Sequence, residues 1–138
     1  MDSQITVKRL PKRGNNYPIV VAGELDVYGS PHLQQELAVI LRGKDSDFGQ
    51  GDRIVIHTEK GEFASEDGRA FSSAGLEYID ASGLGAMMSG LKRAKERGGS
   101  VCLIISDPKI KRIFAITGLD KVFDTFDNPE AAYQTAIA

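Results

Sequence analysis

Few side chains in this sequence combine the type and the spacing that chemistry needs. Two histidines, His32 and His57, and one cysteine, Cys102, are the obvious bases and nucleophiles. Ser82 stands in the run Asp80-Ala81-Ser82-Gly83-Leu84-Gly85, between an expected strand and an expected helix. A hydrolase nucleophile takes that position, but its Gly-x-Ser-x-Gly frame fails here because position 80 is Asp. A triad also needs a histidine oriented by a carboxylate. His32 falls in the first turn of an expected helix and His57 at a strand end, and neither is read as lying beside such a carboxylate. No catalytic residue is therefore assigned. Cys102 reads as a small buried side chain, and one thiol makes neither an internal disulfide nor a thiolate zinc site.

Phosphate-binding frames fail at the residues that matter. Gly83-Leu84-Gly85 begins a dinucleotide fingerprint, but Met88 stands where the third glycine belongs. Gly85 to Gly90 has P-loop spacing, yet Leu91-Lys92 follows instead of Lys-Ser or Lys-Thr. The acidic runs Asp45-Ser46-Asp47 and Glu66-Asp67-Gly68 lack the regular ligand spacing of a calcium loop. No cofactor and no metal are expected. What survives is the helix start itself. Ser82 is placed to be its N-cap, and Gly83 and Gly85 leave the first backbone amides open. A plain stabilising cap is one reading; a phosphoryl or acidic partner group at the positive helix end is the other.

The elements that would position this turn follow from pattern. With 138 residues, 41% hydrophobic and 26% charged, the chain is expected to form one domain, 1–138. Seventeen basic against nineteen acidic residues argue against a nucleic-acid binder. Met1-Asp2-Ser3-Gln4 lacks a signal-peptide pattern, and no apolar run reaches membrane-spanning length, so a cytoplasmic protein with no membrane partner is expected. Strands are predicted at Gln4–Lys8, Pro18–Ala22, Arg53–Thr58, Val101–Ile105 and Val122–Phe126, with the alternating run Leu76–Asp80 leading into the Ser82 turn. Helices are predicted from Ser30-Pro31 to Gly43, from the Ser82 turn to about Arg97, from Pro108 to Gly118, and from Asn128 through Ala132, Tyr133 and Ala136. Lys8, Arg9, Lys12 and Arg13 read as a solvated turn rather than an anion-binding patch. Glu59–Gly75 reads as a hairpin excursion or a mobile loop. The alternation implies an α/β layer fold with the later strands parallel.

Three motifs carry a resemblance. Gly23-Glu24-Leu25-Asp26-Val27-Tyr28 precedes a Pro-initiated helix; Tyr78-Ile79-Asp80-Ala81-Ser82-Gly83-Leu84-Gly85 follows; Ile116-Thr117-Gly118-Leu119 closes the set. Together, over about Ile5 to Ala136, they resemble the STAS-domain anti-sigma factor antagonists. The resemblance implies a mixed, mostly parallel sheet of about five strands packed with about four helices, here with an insertion at about 59–75. It implies a protein that binds an anti-sigma factor, often a serine kinase, and so frees a sigma factor, with a serine phosphatase reversing the kinase. The implied partner-binding residues are Asp26, Tyr28, Asp80, Ala81, Ser82, Gly83 and Leu84, with Asp80 orienting the turn. The family's phosphorylated serine directly follows the aspartate, and that position is Ala81 here. Ser82 is then the candidate phosphoacceptor, or this form is one that a kinase does not switch off. The excursion is expected to enter the same edge as the partner surface. The other reading is a STAS scaffold or ligand-sensing adaptor without an anti-sigma partner.

Overall fold

Strand β2 (Asn16–Leu25) organises the molecule, because its ten residues are long enough to take two different partners along one edge. The computed structural model describes residues 4–42 and 47–134. Gly43 as a helix stop, Asp45-Ser46 of the first acidic run, Ala136 of the last helix and the N-terminal Met1 to Ser3 lie outside them. On one side, β1 (Ile5–Arg9) pairs antiparallel with β2, Val7 opposite Val21. On the other, β3 (Arg53–His57) runs parallel along Asn16–Val20. Where β3 stops, β6 (Leu76–Ile79) takes over along Gly23–Leu25. Strands β7 (Ser100–Ile104) and β8 (Asp124–Phe126) extend the sheet beyond β3, both parallel. The result is a six-stranded mixed sheet, parallel except at β1. Leu76–Ile79 is the member the five-strand reading did not count.

Between β3 and β6 the chain leaves the sheet as a hairpin, β4 (Gly61–Ala64) and β5 (Ala70–Ser73). Its base is stitched shut by Leu76 N–H to the Thr58 carbonyl (2.9 Å) and Gly23 N–H to the Gly75 carbonyl (3.0 Å). The expected excursion is thus an ordered hairpin. Its contacts run over one face of the sheet rather than to the edge that carries the Ser82 turn. Phe63 meets the His57 ring edge-on at 5.3 Å and Phe71 stacks on Phe63 at 5.7 Å. Glu66 N–H then donates to the Arg9 carbonyl at the far margin of β1.

Three helices cover the opposite face: α1 (Ser30–Arg42), α2 (Ala81–Glu96) and α3 (Pro108–Thr117). Ile19, Val21, Ile54, Ile56, Leu103 and Ile105 face Leu33, Leu37, Met87, Leu91, Ile110 and Phe114 in one core. Each such side chain contributes about 1.5–3 kcal/mol by leaving water. The alternate residues Val55, Cys102 and Ile104 face the other way, under Ala132 of α4 (Pro129–Gln134). Both faces are covered, which is why these strands read as unbroken apolar runs. Burial pushes the Cys102 thiol up to about 11, so it is a packing group.

The Ser30 hydroxyl donates back to the Asp26 carbonyl at 2.6 Å. One local expectation is corrected. Val122 and Phe123 are not strand, because a 3-10 turn at Leu119–Lys121 carries the chain past them. The basic turn is engaged internally: Arg9 pairs with Glu36 (3.5 Å) and Glu66 (3.2 Å), Lys12 with Asp47 (3.5 Å), and Arg13 lies over the Tyr133 ring. No helix among the described residues is long and apolar enough to cross a membrane.

Gly23 is the tightest joint of this arrangement. It sits at φ +91° where β2 changes partners, and a Cβ there would overlap the Gln4 carbonyl oxygen. Gly23→Ala should therefore cost more than about 2 kcal/mol, read as a lowered urea midpoint at unchanged slope.

Candidate functional site

The two partner strands β2 and β6 end side by side, Leu25 opposite Ile79, and each is followed at once by an aspartate. That register brings Asp26 and Asp80 to one end of the sheet. The Asp26 carboxylate turns back on its own chain, accepting from the Tyr28 and Gly29 amides at 3.0 and 2.8 Å. Its carbonyl accepts the Ser30 amide, so the turn 26–30 is closed before α1 begins. Asp80 does the same for α2. Its Oδ1 accepts from Ser82 N–H at 2.9 Å and Gly83 N–H at 3.2 Å, and its carbonyl accepts Leu84 N–H at 3.0 Å.

Asp80, not Ser82, is therefore the N-cap, and Ala81 is the first helical residue. The correction has a chemical consequence. An aspartate in extended conformation one residue before the helix can reach two amides at once, whereas Ser82 lies inside the first turn. The amides expected to be open for an anion are already satisfied by Asp80, with a charge that suits the helix dipole. The Asp80 carboxylate thereby ties the turn to the first amides of α2.

The glycines divide the labour. A Cβ on Gly83 would overlap the Leu25 carbonyl oxygen and come within 2.8 Å of Ile79 and Leu25 side-chain carbons. Gly83 is buried, and its bare Cα is what lets α2 start against the end of β2. Gly90 plays the equivalent part further along α2, where a Cβ would come within 2.8 Å of Leu37 on α1. Gly85 is exposed, and a Cβ there would meet nothing within 4 Å. It keeps the outer face of the first turn flat without serving the packing.

The surface around this turn is apolar. Ala81, Leu84, Gly85 and Met88 share one helical face by their spacing, with Ala81, Gly85 and Met88 exposed and Leu84 half-buried. Val27 and Tyr28, 59% and 58% exposed, project from the neighbouring turn 26–30. Exposed large apolar groups gathered at one place mark an interaction surface. Tyr28, Ala81 and Leu84 are thus brought to the surface with Ser82 half-buried between them, Gly83 lies beneath, and the two aspartates hold the turns. Ile116 of the third motif is 77% exposed at the end of α3, where Gly118, φ +77°, ends the helix.

One constellation was not foreseen. His57 meets a carboxylate after all: Glu59 Oε2 lies 2.9 Å from Nδ1, and the Tyr133 hydroxyl lies 2.7 Å from Nε2. Glu59 is two residues on from His57, so the same-side spacing of a strand was the available signal; Tyr133, 76 residues away, had none. Both ring nitrogens are spent on these partners, and neither serves Ser82. Burial pushes the Tyr133 hydroxyl up to about 12. Among the described residues no group of three or more His, Cys, Asp or Glu could hold a metal ion.

Known proteins share the sequence pattern and the fold. The family model described as STAS domain matches residues 8–132. The anti-sigma-B factor antagonist of Bacillus subtilis is 28% identical over 87% of this chain and 90% of its own length. An anti-sigma factor antagonist from Mycobacterium paratuberculosis has a similar structure, with TM-score 0.70, 18% identity and coverage of 96% and 93% of the two chains. So does the Bacillus cell fate determinant SpoIIAA in its phosphorylated form, with TM-score 0.61, 15% identity and coverage of 94% and 99%.

Replacing either glycine of the turn should separate packing from surface. Gly83→Ala should destabilise the fold by more than about 2 kcal/mol, while Gly85→Ala should hold or raise stability by up to about 1 kcal/mol, both read by thermal or urea unfolding. Asp80→Ala should cost about 1 kcal/mol through the lost cap, and Asp80→Asn should recover much of it.

Proposed function

The chain belongs to the STAS domain family, and from that membership we propose that it is an anti-sigma factor antagonist, a protein that binds an anti-sigma factor and so frees a sigma factor. The observation that carries the reading is the flat apolar face Ala81-Leu84-Gly85-Met88 beside Val27 and Tyr28. A surface of small and apolar groups over a rigid, self-capped turn suits docking of a partner and needs no base or nucleophile. The name of the Bacillus subtilis relative supports the same role. The protein then works by binding rather than by catalysis, in the cytoplasm, as one domain into which the β4–β5 hairpin is inserted. Asp26, Tyr28, Asp80, Ala81, Ser82, Gly83 and Leu84 form or support the contact. The proposed partner is an anti-sigma factor of the serine-kinase type, with a serine phosphatase as its counterpart.

Control at this turn has one chemical opening. Ala81 has no hydroxyl, so a kinase acting here must use Ser82. A phosphoryl group on Ser82 would add about -1.5 to -2 charge next to the Asp80 carboxylate, which already holds the Ser82 amide. The helix end tolerates that charge, and the apolar docking face does not. Binding would be lost with the fold intact. Ala81 also suits a second reading, a STAS scaffold or ligand-sensing adaptor in another signalling or transport assembly.

Capture of partners on the immobilised protein, followed by mass spectrometry, separates the two. Recovery of an anti-sigma kinase supports the antagonist, and recovery of transport or signalling subunits in its place removes it. Incubation with that kinase should modify Ser82 alone, and Ser82→Ala should stay unmodified. Ser82→Asp should weaken partner binding by about tenfold or more in a titration. A wild-type protein left unmodified while Ala81→Ser is phosphorylated would show that this turn carries no switch.

A further inference from the structure

The two elements that cover the far face of the sheet are each too short to stand alone. A two-stranded hairpin of four-residue strands is marginal by itself, and so is a six-residue helix such as α4. Both depend on what they touch in the body of the protein. At His57 they touch the same side chain.

We propose that Glu59, His57 and Tyr133 form a latch that makes the β4–β5 hairpin and helix α4 open and close as one unit. Glu59 stands at the root of the hairpin and Tyr133 on α4, and the imidazole between them bonds to both, at 2.9 and 2.7 Å. In the neutral ring the Nδ1 proton faces the carboxylate, which leaves Nε2 to accept from the Tyr133 hydroxyl. Ring contacts repeat the link: Phe63 of the hairpin lies 5.3 Å from the His57 ring, and Tyr133 lies 5.7 Å from it. His57 and Glu59 are buried, so neither can exchange its partner for water without the structure opening. Losing one bond strands a buried polar group, and the remaining bond then weakens with it.

The latch also has a built-in weak point. Oε1 of Glu59 is buried and has no hydrogen-bond partner, so the carboxylate is held by one oxygen only. The other ties on this face attach each element separately. Arg53 Nη2 donates to the Ala132 carbonyl at 2.7 Å, and Arg13 lies over Tyr133 at 3.8 Å. Lys8 lies over Phe71 at 5.0 Å. His57 is the side chain at which a polar contact from the hairpin root meets one from α4.

Cys102 makes the opening measurable. It lies beneath α4 with Val55, Ile104 and Ala132, fully buried, and it is the chain's one thiol. Thr58, beside Glu59, also reaches that cluster, its hydroxyl donating to the Ile104 carbonyl at 2.7 Å, so a Thr58→Val variant that speeds Cys102 labelling as much as Glu59→Ala overturns the latch. Glu59→Ala should speed labelling of Cys102 by an aromatic disulfide reagent about tenfold, a usual size for coupling between two sites. In the reverse direction, Tyr133→Phe should speed amide exchange in the hairpin, residues 61–73, by a similar factor. The amides of Ile19 to Val21, buried in the central strand, serve as the reference for any loss of global stability. If each substitution loosens only its own element, or if the hairpin and Cys102 speed up by different factors in the same variant, the latch is refuted. Should Glu59→Ala fail to fold, Phe63→Leu loosens the hairpin at the same ring and is read the same way.

Discussion

The close approach of α2 to the end of β2 is the constraint from which the rest of the turn follows. A helix can begin this near a strand only if the contact residue has no side chain, and Gly83 meets that condition against the Leu25 carbonyl. With the helix start pressed to the sheet, its first amides cannot be reached from the strand side. They must be satisfied from within, and Asp80 does so with a single oxygen bonded to two donors. Asp26 repeats the solution one strand away. The parallel register Leu25 to Ile79 sets the two turns side by side. Outer residues of both turns, Val27, Tyr28, Ala81 and Gly85, are thereby left free of any structural duty except exposure.

This division explains how an apolar surface can be carried without cost to the fold. Packing obligations fall on Gly83, Gly90, Met87, Leu91 and Ala94, the inward residues of α2, while Ala81, Gly85 and Met88 are exposed. Polar obligations fall on the two aspartates. Substitutions at Ala81, Gly85 and Met88 should therefore leave stability nearly constant, so that any effect of a charge added there reads out in the proposed docking rather than in folding. On the opposite side of the sheet the β4–β5 hairpin and α4 make a separate structure, centred on His57, with no residue in common with the docking turn.

Much of this was legible in the sequence where one local pattern sufficed. The apolar runs around Ile19, Ile54 and Leu103 became buried strands, and the helix ending at Gly118 closed where its glycine could take a positive φ. Asp80 as orienter of the turn came with the motif resemblance, since the preference of Asp for turns fits an ordinary strand-end aspartate equally well. Other features needed distances that sequence does not contain. Ser82 and Asp80 are both good caps by type, and only the extended backbone at Asp80 decides between them. Leu76–Ile79 alternates in sequence but is only four residues long and pairs across a bulge near Gly23, a pairing that its local pattern does not show. The basic turn read as solvated, but its charges meet Glu36, Asp47, Glu66 and the Tyr133 ring, groups from four distant segments.

The hairpin illustrates the limit from the other side. Its polar composition left a hairpin excursion and a mobile loop both open, and the structure shows the hairpin, in which two phenylalanines eight residues apart, Phe63 and Phe71, stack and cover the buried His57. A buried histidine at the end of a parallel strand needs partners, and in this fold the strand does not continue directly into its neighbour's register. The chain must leave the sheet after Thr58 and return at Gly75, and whatever it carries on that detour lies over His57. The same detour keeps β6 aligned with Leu25, because Gly23 and Gly75 close its base. A segment that looks dispensable in sequence thus joins the two halves of one interrupted strand, and the position of Asp80 depends on that junction holding.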